Sequence, residues 1–140
     1  MITATARRVE GYRHDVEIDG HTIVVDEPTD SGGDDAGPSP TRLLTAALAS
    51  CTAITIEMYA ARKEWDMEGL EVAVDFEGTP KAADTAHFTV HLTLPEGLDE
   101  EQVDRIRTVA AKCPVHRTLT GRVEIAITDR ADGAGGEQPG

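Results

Sequence analysis

The sequence predicts an α+β fold in which antiparallel strands form a sheet wrapped around one long central helix. Two observations support this class. Segments of alternating hydrophobicity occur in groups and do not alternate singly with helices. The segment from Leu43 to Ala61 is apolar or small on every side, as expected of a helix buried all round. The chain has 140 residues, and we expect one domain over residues 1–130 with a flexible tail at 131–140.

The first part of the chain predicts three strands and a loop. A strand is expected over residues 2–9. Residues 13–25 predict a hairpin, because Asp19-Gly20 is a type I′ turn signal between two alternating runs. Residues 26–38 hold two adjacent glycines, two prolines and five acidic residues, so we expect a loop that packs against nothing.

The long helix is expected to begin sharply, with Ser39 as N-cap and Pro40 at the first helical position. About 22 residues at 1.5 Å each give a rod of roughly 33 Å. One chain of this size offers little to cover such a helix, so the helix indicates a homodimer. The remaining elements are predicted as strands 70–77 and 87–94, a helix capped by Asp99 with Gln102, a short helix 114–120, and a strand 122–128.

Composition excludes some classes of function. With 26 acidic against 13 basic residues, the formal charge is −13, which disfavours nucleic-acid binding because phosphate contacts need a basic face. No basic-then-apolar export signal opens the chain. The longest apolar run, Leu43 to Ala61, carries Glu57 and several hydroxyls, so we expect a cytoplasmic protein with no membrane span. The acidic, Lys-poor composition gives the hypothesis of a halophilic source, which requires stability to fall when molar salt is removed.

The chain has two cysteines, Cys51 and Cys113, which are too few for a structural zinc site. Two interpretations are open: the cysteines are inert buried thiols, or they are a redox pair. Cys51 lies in the middle of the long helix, where it needs a cation or hydrogen-bond donors from elsewhere to ionise. Cys113 precedes Pro114, close to the free N–H groups of a short helix and to His116 and Arg117. Local chemistry therefore makes Cys113 the more acidic thiol. A metal site at Cys51, Cys113 and His116 is one ligand short, and no metal is expected.

Two sequence blocks together resemble the OsmC/Ohr family of thiol-dependent peroxidases. They are GPSPTRLLTAALASCTAITIEMYA, at residues 37–60, and AKCPVHRTLTGRVEI, at residues 111–125. The resemblance implies an intertwined homodimer with a site at the interface and no cofactor. It also implies that Cys51 attacks an organic hydroperoxide to become a sulfenic acid, and that Cys113 resolves this acid to a disulfide that a dithiol reductant reopens.

The resemblance further implies an activating Arg from the N-terminal strands, for which Arg13 is nearest in position, held by a Glu in the first turn of the long helix. Thr41 and Arg42 stand where relatives have that Glu. Arg42 either steers an anionic substrate or supplies the activating cation, or else it pairs with Asp34 or Asp35 at the surface. Expected substrate contacts are Arg42, Leu48, Ile54 and Arg117. The alternative function is an apolar-ligand binding or redox-sensing domain with little peroxidase activity.

Overall fold

The computed structural model describes residues 1–78, 81, 85–129 and 138–139, and it has the α+β architecture that the sequence predicts. Its first three strands form an antiparallel sheet in the order β1 (Ala4–Glu10), β2 (Arg13–Ile18) and β3 (His21–Val25). Ile18 pairs with His21 across the turn. Asp19 and Gly20 have φ values of 47° and 82°, as a type I′ turn requires. The predicted hairpin is therefore confirmed.

The loop that follows β3 is more ordered than its composition indicates. It contains a short 3₁₀ turn at Thr29–Ser31, and its first residue, Asp26, is only 2% exposed. The Asp26 carboxylate accepts N–H groups from Glu27 at 2.8 Å and from Asp34 and Ala36 at 3.1 Å each. The expectation that this loop packs against nothing is wrong, because the chain folds back around one buried carboxylate.

Helix α1 spans Pro40–Lys63 and begins where the sequence predicts. Ser39 has the extended backbone of an N-cap, and its carbonyl accepts the Leu43 N–H at 2.9 Å. Its hydroxyl does not cap the helix, however. It accepts a hydrogen bond from the Arg42 guanidinium at 2.9 Å. The helix start therefore depends on Pro40 and on the backbone geometry of Ser39, with Arg42 folded back over the first turn.

Only one face of α1 is buried within the chain. The buried residues are four apart, which is the spacing of a single helix face: Leu48, Thr52, Ile56 and Ala60. Other large apolar side chains of α1 are exposed to solvent: Leu44 is 40%, Ile54 49% and Met58 62% exposed. The expected burial on all sides is therefore not reached by one copy of the chain.

By length and composition α1 is the one helix among the described residues that could cross a membrane, which differs from the expectation based on Glu57 and the hydroxyls. In the structure its buried face packs against β4, α2 and α3. The core that forms there centres on Ile56, Ile106 and Ala110.

The second half of the chain follows its alternating pattern closely. Strands β4 (Glu71–Phe76) and β5 (Phe88–Thr93) form an antiparallel pair in which Phe76 stacks on Phe88, with ring centroids 4.6 Å apart. Helix α2 spans Glu100–Ala110 and starts with the predicted capping box. There the Gln102 N–H donates to Asp99 at 2.8 Å, and the Asp99 N–H donates to the Gln102 side chain at 2.9 Å. Helix α3 spans Pro114–Thr120.

The strand predicted at 122–128 is mostly absent from the single chain. Only Thr128–Asp129 form a strand, β6, which pairs with β7 at Gln138–Pro139. Residues 122–127 have no hydrogen-bonded neighbour strand among the described parts of the chain, and a strand without a partner is not stable. Residue 130 and most of the predicted flexible tail lie outside the described residues.

Candidate active site: two neighbouring thiols

The two cysteines meet where the middle of α1 packs against the start of α3. Cys51 lies in the fourth turn of α1, and Cys113 is the N-cap of α3, three positions after the last residue of α2. Because α1 packs against both α2 and α3, residues remote in sequence come into contact. Both cysteines are free thiols, and they lie close enough for each to shift the pKa of the other. The sequence places each thiol on its own element, but only the resemblance implied that they would meet.

The two thiols differ in their access to solvent. Cys113 is fully buried, with 0% of its surface exposed, whereas Cys51 is half-buried. A molecule that approaches from solvent therefore reaches Cys51 first. This asymmetry fits an outer thiol that meets a substrate and an inner thiol that acts only on its neighbour.

Cys113 is the more acidic of the pair. Burial opposes its ionisation, but several hydrogen bonds outweigh burial and lower the pKa of Cys113 below its ordinary value. The His116 N–H donates to the Cys113 sulfur at 3.4 Å, and the Cys51 thiol, the Thr52 hydroxyl and the Val115 N–H lie near enough to favour the thiolate as well. Two of them are backbone groups of the first turn of α3, which have no partner within that helix. The sequence-based prediction that Cys113 is the more acidic thiol is confirmed.

Cys51 has the opposite character. Burial and the neighbouring Cys113 raise the pKa of Cys51, while the Val115 N–H and the Thr55 hydroxyl only partly oppose this. Cys51 therefore loses its proton less readily than Cys113 does.

Two threonines, Thr52 and Thr55, belong to the site, and only Thr55 is evident as a neighbour of Cys51 from helical spacing in the sequence. Thr52 is 1% exposed, and its hydroxyl has no hydrogen-bond partner of normal geometry, but it lies close enough to favour the thiolate of Cys113. Thr55 is one turn after Cys51 on the same helix face and favours the thiolate of Cys51. Helical spacing could have identified Thr55. The role of Thr52 depends on the packing of α3 against α1, which no local pattern reveals.

The predicted basic residues do not gather at the sulfur atoms. Arg13 lies at the start of β2, where its charge acts on the Asp26 carboxylate. Arg42 donates to Ser39 and forms no ion pair with Asp34 or Asp35, both of which the structure describes, so that predicted surface pairing is wrong. Arg117 is exposed on α3. After burial, the strongest influences on the pKa of each thiol come from the other thiol, from hydroxyls and from N–H groups, not from a guanidinium.

Leu48 and Ile54 are the two apolar side chains predicted to contact the substrate, and one of them lines a cavity. Leu48 is 3% exposed and lines a cavity of about 320 Å³ together with Phe88, Val90 and Leu119, while Ile54 is exposed at the surface. His116 lines this cavity as well as a smaller one of about 200 Å³ that Thr52 borders. Apolar space therefore lies on the same side of α1 as the buried thiol.

The comparison with protein families agrees with this geometry. The family model described as OsmC-like protein matches residues 32–128, which include α1 and both cysteines. The chain belongs to the OsmC-like family. Among curated proteins, no significant match was found. Family membership supports a redox or peroxidase role at the level of the family, without defining a substrate.

Solved structures share the fold of this OsmC-like chain. An OsmC-like protein from Mycoplasma pneumoniae is 23% identical, with a TM-score of 0.72 over 86% of this chain and 88% of that one. An organic hydroperoxide resistance protein from Elizabethkingia anophelis is 22% identical, with a TM-score of 0.67 over 89% and 91%. A proposed osmotic stress induced and detoxification response protein from Psychrobacter arcticus is 26% identical, with a TM-score of 0.70 over 84% and 87%.

Proposed function

We propose that this OsmC-like protein is a thiol-dependent peroxidase that reduces organic hydroperoxides. One observation supports this function above the others: a half-buried thiol, Cys51, lies close enough to a fully buried thiol, Cys113, for each to shift the pKa of the other. A sulfenic acid survives as a reversible intermediate only when a second thiol is close enough to capture it. An inert pair of buried cysteines needs no such contact.

The reaction proceeds in three steps. The sulfur of Cys51 attacks the outer oxygen of the hydroperoxide, the O–O bond breaks, and the alcohol leaves after taking up a proton. The resulting Cys51 sulfenic acid condenses with Cys113, which forms a disulfide and releases water. A dithiol reductant then exchanges with the disulfide and restores both thiols. No metal or cofactor takes part.

The proposed substrate is an apolar hydroperoxide. The cavity beside Leu48 is lined mainly by apolar side chains, and it is also lined by His116, whose backbone N–H donates to Cys113. Such a lining favours an alkyl or aryl group over hydrogen peroxide itself. Arg42, Ile54 and Arg117 remain proposed substrate contacts, and Arg13 remains the proposed activating cation. Arg13 acts in this way only if another part of an assembly brings its guanidinium to Cys51, because within the chain its charge acts on Asp26.

We propose a homodimer as the working form. The open stripe on α1, with Leu44, Ile54 and Met58, supports a partner that covers it. The exposed segment that carries Val123, Ile125 and Ile127 supports the same conclusion, because its alternating pattern is that of a strand. A second copy of the chain offers both a surface for α1 and an edge for this segment.

Steady-state turnover with cumene hydroperoxide and a dithiol reductant tests the function. We expect Cys51→Ser to abolish turnover, since no other described thiol is accessible. Cys113→Ser should allow one oxidation of Cys51, followed by overoxidation to sulfinic acid that mass spectrometry detects. The double variant serves as the control for background reduction. Wild-type turnover equal to that of the double variant would end the peroxidase proposal.

A second function is favoured by one feature of the site. The first turn of α1 has no acidic residue, and no guanidinium is among the strongest influences on Cys51. An apolar-ligand binding or redox-sensing domain does not need fast ionisation of Cys51. Such a domain would bind an apolar probe near Leu48 with unchanged affinity in the double Ser variant and would show no catalytic turnover.

A further inference from the structure

We propose that the cleft between the end of α1 and the outer side of α2 is a binding site for a nucleoside phosphate. The cleft has a volume of about 710 Å³, which is within the range of small-molecule sites. It is separate from the thiols, because Tyr59 and Lys63 in its wall lie two to three turns after Cys51 on α1, roughly 12–18 Å along the helix axis. This inference does not depend on the proposed peroxidase function.

Three cationic side chains converge on Tyr59 in this cleft. The Nε atom of Arg105, on α2, donates to the Tyr59 hydroxyl at 2.9 Å, and its guanidinium carbon is 5.7 Å from the Tyr59 ring centroid. The guanidinium carbon of Arg62 and the ammonium nitrogen of Lys63 are each 5.8 Å from the same centroid. Three like charges around one ring repel each other, and their attraction to the ring offsets this only in part. The cluster therefore favours an anion.

No carboxylate of the described residues neutralises these three cations by an ion pair. On the same helix as Arg105, by contrast, Arg107 pairs with Asp104 at 3.0 Å. Arg62 and Lys63 lie in the last turn of α1, where cations also stabilise a helix end. This explanation does not apply to Arg105, because Arg105 lies in the middle of α2.

The hydrogen-bond donors that remain suit a phosphate group. Arg105 uses its Nε on Tyr59, and its two terminal nitrogens have no hydrogen-bond partner among the residues that the structure describes. Such nitrogens bind the oxygens of phosphate in pairs. A phosphate monoester carries about 1.5 to 2 negative charges at pH 7, so it balances three cations better than one carboxylate does. The net charge of −13 on the whole chain has little effect here, because salt screens charges beyond roughly 8 Å.

An aromatic wall beside the cations suits the base of a nucleoside. Trp65 lines the cleft and meets Tyr59 edge to face, with ring centroids 5.6 Å apart. Bases stack on aromatic side chains of this kind with little dependence on their identity. The cleft therefore offers a surface for a planar group next to the place where the phosphate would bind.

The opposite wall suits the hydroxyl groups of a sugar. Three carboxylates line it, and two of them already accept hydrogen bonds: Asp99 from the Gln102 N–H at 2.8 Å, and Asp104 from Arg107 at 3.0 Å. Glu101 has no hydrogen bond or ion pair within the described part of the chain, so its oxygens are available to sugar hydroxyls. One available carboxylate against three unpaired cations favours an anionic ligand over a cationic one.

Trp65 is the only tryptophan of the sequence, so its fluorescence reports on this cleft selectively. The full-length protein is titrated with AMP, with excitation at wavelengths that adenine does not absorb, and calorimetry gives the dissociation constant independently. We expect saturable AMP binding and much weaker binding of adenosine, which lacks the phosphate. Arg105→Gln and Lys63→Gln should each weaken AMP binding at least about tenfold, the loss expected for one charge-assisted hydrogen bond.

Arg7→Gln is the matched control. It removes the same charge from an exposed position on β1, outside the cleft, and should leave the affinity for AMP unchanged. A lack of saturable AMP binding would overturn the proposal, and so would adenosine that binds as tightly as AMP. Equal losses in Arg7→Gln and Arg105→Gln would also overturn it, because net charge alone would then explain the binding. Inorganic phosphate that binds as tightly as AMP would exclude a nucleoside as the ligand.

The ionisation of Tyr59 tests where the phosphate binds. The hydrogen bond from Arg105, together with the charges of Lys63 and Arg62, outweighs burial and lowers the pKa of Tyr59 below its ordinary value. A phosphate bound among these cations should raise this pKa, because the phenolate would face a second negative charge. Absorbance titration with and without AMP measures the shift, and Tyr59→Phe identifies the transition against that of Tyr12. An unchanged pKa of Tyr59 at saturating AMP would overturn the proposed site.

The double variant Cys51→Ser with Cys113→Ser separates this proposal from the peroxidase proposal. It should bind AMP with the wild-type dissociation constant, whether or not the wild-type protein reduces cumene hydroperoxide. Loss of AMP binding in this variant would place the ligand at the thiols and would overturn a separate site at Tyr59.

Discussion

A single buried carboxylate, Asp26, organises the approach to the long helix. Three backbone N–H groups of its own loop surround it, and the charge of Arg13 acts on it from β2. Such an arrangement stabilises the ionised form and fixes the path of the chain ahead of Pro40. A run of acids, glycines and prolines gives no sign of this in the sequence, since any of its five acidic residues could equally have remained in solvent.

Asp26→Asn should lower the free energy of unfolding at neutral pH and should make this free energy depend less on pH in the acid range. The hydrogen bond from the Ala36 N–H, aided by those from Glu27 and Asp34 and by Arg13, outweighs burial and lowers the pKa of Asp26 below its ordinary value. A lowered pKa in the folded state contributes stability that is complete above the pKa of the unfolded chain and is lost as the pH falls through the folded value.

Urea unfolding at pH 7 and at several points below pH 4 measures the Asp26 effect. The urea concentration at the wild-type unfolding midpoint should fall steeply as the pH is lowered. For Asp26→Asn this midpoint should be lower at pH 7 and should change less with pH. Asp30→Asn, at an exposed acid of the same loop, provides the control and should follow the wild type. If the unfolding midpoint changes equally with pH in wild type and Asp26→Asn, this carboxylate is not the cause of the loss of stability in acid.

The elements of the fold follow local rules where those rules involve neighbours in sequence. The turn at Asp19-Gly20, the helix start at Pro40 and the capping box of Asp99 and Gln102 are set by residues within four positions of each other, and all were predictable. Thr52 beside Cys113 was not, because that contact arises only when α3 packs on α1. The path of the loop after β3 was not predictable either, because in this loop Gly33 and Gly37 lie against the backbone of Glu27 and Val24.

Gly37→Ala should disrupt the junction between this loop and α1. A Cβ atom at position 37 would lie 2.1 Å from the carbonyl oxygen of Val24, so the backbone of one segment must move. Overpacking of this kind costs about 1–3 kcal/mol of unfolding free energy. Chemical denaturation measures the loss. Gly20→Ala, where a Cβ would contact nothing but φ is 82°, isolates backbone strain and should cost less. A smaller effect at Gly37 than at Gly20 would contradict the close approach.

At the scale of the whole molecule, sequence patterns predict which face of an element is apolar but not what covers it. The alternating strands and the apolar helix gave the α+β class correctly, whereas the meeting of Cys51 with Cys113 came from resemblance to a family. Two features, the open stripe of α1 and the segment 122–127, were predicted as buried helix and paired strand. Both predictions depend on the surfaces that cover these features. In the described part of one chain, neither feature is covered.

Ile125→Asp should weaken the proposed homodimer. Ile125 is 85% exposed in the single chain, and it alternates in sequence with Val123 and Ile127, so a second copy that pairs with this segment as a strand would bury all three. A charge at the centre of an apolar interface typically costs at least about 2 kcal/mol, or roughly 30-fold in the dimer dissociation constant. Sedimentation velocity over a range of protein concentrations measures that constant. Ala126→Asp adds the same charge on the opposite face of the segment and should change it little. A wild-type chain that sediments as a monomer at every concentration, or equal effects of the two substitutions, would show that this face is not the interface.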